Sequence, residues 1–346
     1  NVYNVAVGYN SGTAVTTGTA NTFIGGRAGD ATTTGSTNVA VGTDALGSNT
    51  TASNNVAIGY DCLVANTTGA TNTALGTSSL ATNTTASNNT AVGHGALTAN
   101  TTGTRNNALG NLSLVANTTG DNNVALGSQT LQANTTADDN TAVGYAALNV
   151  NTTGANNTAV GKFAGLAVTT GGYNTLVGSL AGDSITTAAN NVALGYLAGS
   201  AITTGAQNTA LGSGALSSTT TGLYNIGVGY DANSSSATVT GQCTLGDTNI
   251  TNLRCNDQTI SSLSDSRDKT DVIDSPYGLD FIKTVRPVQF KWESRDGNGK
   301  DGSTRIGFLA QELLAATDGN NAVLDLVMDD NPDKLEAKYG NLLPIA

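Results

Sequence analysis

The chain has 346 residues, a formal net charge of -11, 5% aromatic and 11% charged residues, and 43 glycines. An acidic surface of this kind excludes nucleic-acid binding through phosphates, which needs clustered Lys and Arg, and no run of about 20 apolar residues is present to span a membrane as a helix. Abundant Asn, Gly and Thr beside 38% hydrophobic residues favour short strands and tight corners over helices, and sparse charge with no Pro in the first two thirds argues against disorder.

A 17-residue period runs through the first part of the chain. The motif Asn-x-Ala-aliphatic-Gly, with small deviations, begins at Asn4, Asn21 and Asn38 and recurs without insertion to Asn225, fourteen units in all. Self-similarity at a fixed period marks a solenoid, in which each unit buries its apolar face against its neighbours. In the unit from Asn55 to Thr71, a strand Val56-Ala57-Ile58 ends at Gly59, where the missing Cβ permits a corner. A second segment reaches Leu63, and Asn66-Thr67-Thr68-Gly69 forms the return corner. The fourth position is aliphatic in all fourteen units and the second is Thr or Val in twelve. These two share a strand face, so the fourth position is expected in the core.

Where the ninth position is Leu, in seven units from Leu46 to Leu148, the twelfth is Asn. Where the ninth is Gly (Gly12, Gly29, Gly165, Gly182, Gly199), the twelfth is Val15, Thr32, Val168, Ile185 or Ile202, as if to refill the space. Coils stacked about 4.8 Å apart give a mainly β rod, a parallel β-roll or β-solenoid roughly 65 Å long, with ladders of Asn and Thr. So thin a roll buries little per coil, which favours several chains around one axis. The Asn55 to Gly59 strand and corner resembles the head repeats of trimeric autotransporter adhesins, and the same motif occurs in phage fibres. The resemblance implies a left-handed, homotrimeric roll.

Composition changes near residue 258. Before it stand four basic residues, ten Asp and no Glu; after it stand ten basic and fifteen acidic residues, all four prolines and the single Trp292. The expected organisation is a repeat shaft over 1–237, a short β neck over 238–263 and a small α+β domain over 264–346. In that domain Leu279, Ile282 and Val285 have helical spacing, Val288, Phe290 and Trp292 alternate as a strand, Gly297-Asn298-Gly299 turns, and Ile306 to Leu309 runs as a strand into a helix at 310–314. Three ordered motifs, Ser264-Asp265-Ser266-Arg267-Asp268-Lys269, Pro287 to Trp292 and Ile306-Gly307-Phe308-Leu309-Ala310-Gln311-Glu312, resemble the intramolecular chaperone domain of phage tailspikes, endosialidases and fibres. That resemblance implies a domain that trimerises, assists folding of the preceding β-structure, and cuts itself between Ser264 and Asp265 with Ser264 and Lys269 as the dyad. Asp265, Arg267, Gly307, Gln311 and Glu312 are its chaperone-motif residues. A long C-terminal helix usual in such domains is expected beyond Ala346, and the start at Asn1 suggests a piece of a longer fibre.

A serine hydroxyl needs a base to take its proton, and Lys serves only with a pKa well below about 10.4. The alternative reading places Ser264 in a serine-rich linker and Lys269 on the surface. Cys62, Cys243 and Cys255 have neither the spacing nor the His partners of a metal site, so no metal or cofactor is expected. Seven Asn-Thr-Thr corners match the glycosylation sequon but follow from the repeat itself. Tyr9, Tyr60, Tyr145, Tyr196 and Tyr230 recur after the corner glycine as candidate contacts to a host glycan or receptor. The combined expectation is a structural virion tail fibre, extracellular in action, whose partners are itself, other tail proteins and the host surface. A bacterial trimeric adhesin and a polysaccharide-degrading tailspike are the alternatives.

Overall fold

The computed structural model describes residues 3–250, 270–291, 304–329, 335–338 and 342. The chain divides into two compact units, Asn1–Leu245 and Gly246–Ala346. In the first, three-residue strands recur every 17 residues from β1 (Val5–Val7) to β14 (Ile226–Val228), and β15 (Cys243–Leu245) keeps the interval. All fifteen form one parallel sheet in chain order. Register never slips: Val56 pairs with Thr73, Ala57 with Ala74 and Ile58 with Leu75. Every residue therefore lies over its equivalent in the next coil.

Backbone geometry explains how so short a coil closes. Gly59 has φ of +140°, and a Cβ there would sit 2.7 Å from the carbonyl carbon of Gly76. Asp61, Leu63 and Thr71 of the same coil are left-handed, with φ of 53°, 51° and 61°. The left-handed region costs Leu63 about 1–2 kcal/mol. Its side chain is wholly buried, a gain of roughly 1.5–3 kcal/mol that offsets the strain.

The core does not lie where the strand pattern placed it. Along Val56–Ile58 the middle residue is buried and Ile58 is exposed; Ala40, Ala57, Ala74, Ala91 and their equivalents beyond the first strand are at 0–1% exposure, while the fourth position is exposed or half-buried, as at Leu75 and Val92. Side chains alternate along each strand as expected, with the opposite face turned inward. The interior is too narrow for a branched side chain on the strand once the ninth-position Leu is inside, so Ala points in and the aliphatic fourth position points out. Two coils prove the volume argument by exception. Phe23 and Leu176 replace the third-position Ala and are fully buried. Each is flanked by ninth-position glycines: a Cβ on Gly29 would meet the Phe23 ring at 2.6 Å, and one on Gly182 would meet Leu176 at 2.7 Å. The exchange also runs in reverse, since a Cβ on Gly227 would lie 2.9 Å from Leu216. Val168, Ile185 and Ile202 are buried and take up the remaining space.

Two columns of buried amides run along the rod. At the first position, Asn55 accepts the Asn72 backbone N–H at 2.9 Å and donates to the Gly69 carbonyl at 2.9 Å. At the twelfth, the Asn66 amide donates to Asn49 at 3.1 Å and to Gly69 O at 2.9 Å, and this repeats to Asn151. The Asn of each Asn-Thr-Thr corner is thus a buried ladder member rather than a free acceptor site. Its Thr neighbour is bound as well, Thr67 Oγ1 donating to the Thr84 carbonyl at 3.0 Å.

The second unit contains α1 (Leu279–Ile282), β16 (Val288–Lys291), β17 (Thr304–Gly307), α2 (Ala310–Ala316), α3 (Asn321–Leu324), β18 (Val327–Met328) and β19 (Glu336–Ala337). β16 pairs antiparallel with β17, and β18 with β19. Leu313, Leu324, Leu326 and Val327 make a small core, against which Tyr277, Phe281 and Phe308 pack.

The amide ladder gives a direct prediction. Asn100 links Asn83 and Asn117, with Nδ2 and Oδ1 contacts of 2.9 Å each. Asn100→Ala strands buried partners on both sides, and a loss of about 2–4 kcal/mol in denaturant unfolding is expected. Thr102→Ala, at an exposed corner of the same coil, should stay within about 0.5 kcal/mol. Equal effects from the two would contradict a stabilising ladder.

Candidate functional site

In the C-terminal unit the third sequence motif wraps the start of α2. Gly307 ends β17, is buried, and pairs with Val288 of β16. Gln311 is exposed and Glu312 is half-buried in the first turn of α2. The Glu312 carboxylate accepts from Arg286 twice, from Nε at 3.1 Å and from a terminal guanidinium nitrogen. This fork geometry is the strong form of the Arg–carboxylate pair. The carboxylate raises the Arg286 pKa above its ordinary value. A shallow depression lined by Val285, Arg286, Phe308, Leu309, Glu312 and Leu313 lies beside it. The structure therefore brings Gly307 and Glu312 of the motif together around the β17–α2 junction and leaves Gln311 facing outward. Ser264, Asp265, Arg267 and Lys269 lie outside the described residues, as do Trp292 and the Gly297–Gly299 turn.

On the shaft, the corner tyrosines stand in one column. Tyr9, Tyr60, Tyr145, Tyr196 and Tyr230 are 46–76% exposed. Neighbouring members are two to five coils apart, so they do not form one continuous site. Tyr145 joins an aromatic cluster: its ring meets Phe163 edge-on at 5.4 Å between centroids, and the Lys162 ammonium sits 4.9 Å from the Phe163 ring centre. Phe163 escaped the sequence reading. Its signal was there, because the seventh position is otherwise often small or polar (Asn10, Asp44, Asp61, Ser78), and a left-handed φ of 61° at Phe163 is strained for such a residue. Other corners carry ionic or polar pairs, such as Arg27 with Asp44 at 2.5 Å and Tyr60, whose hydroxyl pKa is raised by the adjacent Asp61 carboxylate.

Cys62 is buried, in contact with Ser79 Oγ at 2.9 Å and Ala74 O at 3.2 Å, while Cys243 is exposed. Burial pushes the Cys62 thiol up to about 11. Among the described residues no three His, Cys, Asp or Glu side chains gather as a metal-binding group, and no helix is long and apolar enough to cross a membrane.

Two measurements check this picture. Thiol reagents should modify Cys243 and spare Cys62 in the folded protein up to about pH 10, and equal reaction of the two would contradict the burial. Because the folded pKa of Cys62 is raised, its contribution to stability is complete below the ordinary value near 9.0 and is lost as pH rises through about 11; Cys62→Ala should flatten that decline. In the C-terminal unit, Leu313→Ala removes a fully buried side chain and should cost about 2–5 kcal/mol. Arg286→Ala breaks an exposed, solvent-screened pair and should leave the unfolding midpoint nearly unchanged. Denaturant unfolding of each variant beside the parent checks both.

No curated protein and no solved structure matches the chain. A family model does match, over residues 264–324: the chaperone of endosialidase. The chain thus joins a parallel β-solenoid of about fourteen turns to a segment that matches the endosialidase-chaperone family model.

Proposed function

We propose that this chain is a fibre or spike of a virion tail: a homotrimeric rod that presents a host-contacting surface, followed by a domain that trimerises and assists folding of the rod. The observation that carries the reading is the adjacency of two parts in one chain. A solenoid whose coils each lack an independent core precedes a segment matching a chaperone family. Each coil needs a neighbour to stack on, so the first coils are the hardest to form, and a terminal assembly domain answers that need. Other tail proteins are the expected attachment partners, and the Tyr145, Lys162 and Phe163 cluster is the best-organised host-contact patch among the corner tyrosines. A genomic neighbourhood of outer-membrane anchors with no virion genes would favour the adhesin reading instead.

The domain is further proposed to release itself by hydrolysis of the Ser264–Asp265 amide. Water is consumed, a carboxylate is left on Ser264 and a new amino terminus on Asp265. Lys269 would serve as the base that activates the Ser264 hydroxyl, which requires assembly to lower its pKa from about 10.4 by burial or by neighbouring cations. Ser264→Ala and Lys269→Ala should each yield one intact species on denaturing gels where the parent yields two, with the smaller parental product beginning at Asp265 by mass spectrometry. Two species from all three proteins would refute the dyad.

A further inference from the structure

The strand face that looks away from the core carries an aliphatic side chain at its fourth position in every coil, beside Thr, Val, Ile or Asn at the second. Fourth-position side chains are markedly exposed in the single chain: Ile58 37%, Leu75 43%, Leu109 45%, Leu126 42% and Leu194 47%. A monomeric soluble protein seldom leaves a continuous apolar stripe of this length open to water. Across fourteen units that position is never anything but Val, Ile or Leu, and none of the three strand positions ever carries a charge. The corner column three places on behaves differently, holding Asn10, Arg27, Asp44, Ser78, Leu112 and Phe163. Backbone geometry treats the coils alike, so folding of a single chain does not account for the contrast. It is what results when one column is covered in the assembly and the other is left in solvent.

We propose that this sheet face is the interface between copies of this chain, packed parallel and coil against equivalent coil about a common axis. The period identifies the occupant. Because the register is exact from strand to strand, the stripe presents one aliphatic side chain per coil, about every 4.8 Å. A globular partner has no such repeat and would match a few coils at most. A second copy has the same spacing over the same length, the same absence of charge, and β-branched or leucine side chains able to interdigitate with their equivalents. Parallel alignment follows from the matched segment at 264–324, which gathers identical ends if it assembles with itself. The inference rests on the fibre reading above and adds to it the face that is buried and the alignment of the chains.

Site-specific cross-linking tests it in the full chain. With Cys62→Ala, Cys243→Ser and Cys255→Ser as background, Ile58→Cys and Leu194→Cys are introduced one at a time. Thr204→Cys, on an exposed corner of the same coil as Leu194, is the control. A disulfide requires Cα atoms within about 7 Å. Only parallel, in-register packing on this face therefore lets each single variant link to itself, at both ends of the shaft. The expected result is oxidised dimers for Ile58→Cys and Leu194→Cys, none for Thr204→Cys, and a native mass that is a multiple of the shaft-bearing chain, 34.5 kDa when uncut. An assembled particle in which either strand position fails to link overturns the interface and leaves the fibre reading standing. A native mass of one chain overturns both.

Discussion

Seventeen residues wound into one coil enclose very little space, and that narrowness governs the molecule. Leu63 and its equivalents occupy the interior from a left-handed corner, and the strand opposite has room only for the methyl group of Ala57. In two of the five coils where the corner Leu is replaced by Gly, the strand residue grows to Phe23 or Leu176, and Val168 and Ile202 fill space in coils that keep Ala; where the strand residue is Gly227, Leu216 moves into its place. Protein interiors are packed like crystals, so volume removed on one wall must be supplied by another. The larger aliphatic residues are displaced outward by the same constraint. A single coil stack is consequently an incomplete hydrophobic unit, with one core inside and a second apolar surface waiting outside.

Hydrogen bonding adds a rule about neighbours. A buried amide in a ladder needs another amide, or a hydroxyl, in the next coil. Units of the Leu and Asn type therefore come as an uninterrupted block from Asn49 to Asn151 instead of alternating with the Gly type. At one boundary of the block Thr32 Oγ1 accepts from the Asn49 amide at 3.3 Å, which explains why a hydroxyl residue stands there among Val and Ile. At the other boundary the next coil offers Val168, and Asn151 Oδ1 is left buried without a partner. An orphaned buried acceptor costs about 1–3 kcal/mol. Grouping like coils confines that cost to a single junction. At the far end Thr219 and Ser234 pair through their hydroxyls at 2.6 Å, a local substitute for the amide column.

The period, the strand at each Asn-x-Ala motif, the corner at Gly59 and the Asn ladders were all legible in the sequence because each depends on one residue type at one spacing. The inward face was not. Alternation tells which residues share a side, and hydrophobicity then favours Ile58 over Ala57 for the interior; only the closed path of the coil shows that the smaller one fits. Phe23 and Leu176 were the available clue, since a large residue in an Ala column appears where glycines surround it. In the C-terminal unit, the helix at 310–316 followed from spacing and motif, but the fork between Arg286 and Glu312 spans 26 positions and has no local pattern. The proposed Ser264 and Lys269 dyad rests on resemblance alone, because a hydroxyl and an amine five positions apart carry no structural requirement of their own.

These features also set how the two units divide the work of folding. Contacts in the shaft join residues 17 apart, repeated without variation, so growth from an existing coil is a short loop closure each time, costing only slowly more with length. Starting is a different problem, since one isolated coil has no floor to hydrogen-bond to and buries little more than an Ala and a Leu. The uniformity that makes extension easy also offers no preferred starting point and no defence against a register shifted by one coil, in which Val would meet Leu and Asn would still meet Asn. In the proposed assembly, a unit of unrelated composition with its own small core around Leu313 and Leu326 breaks that degeneracy by gathering the same end of every copy, so that equivalent coils meet from the first one formed.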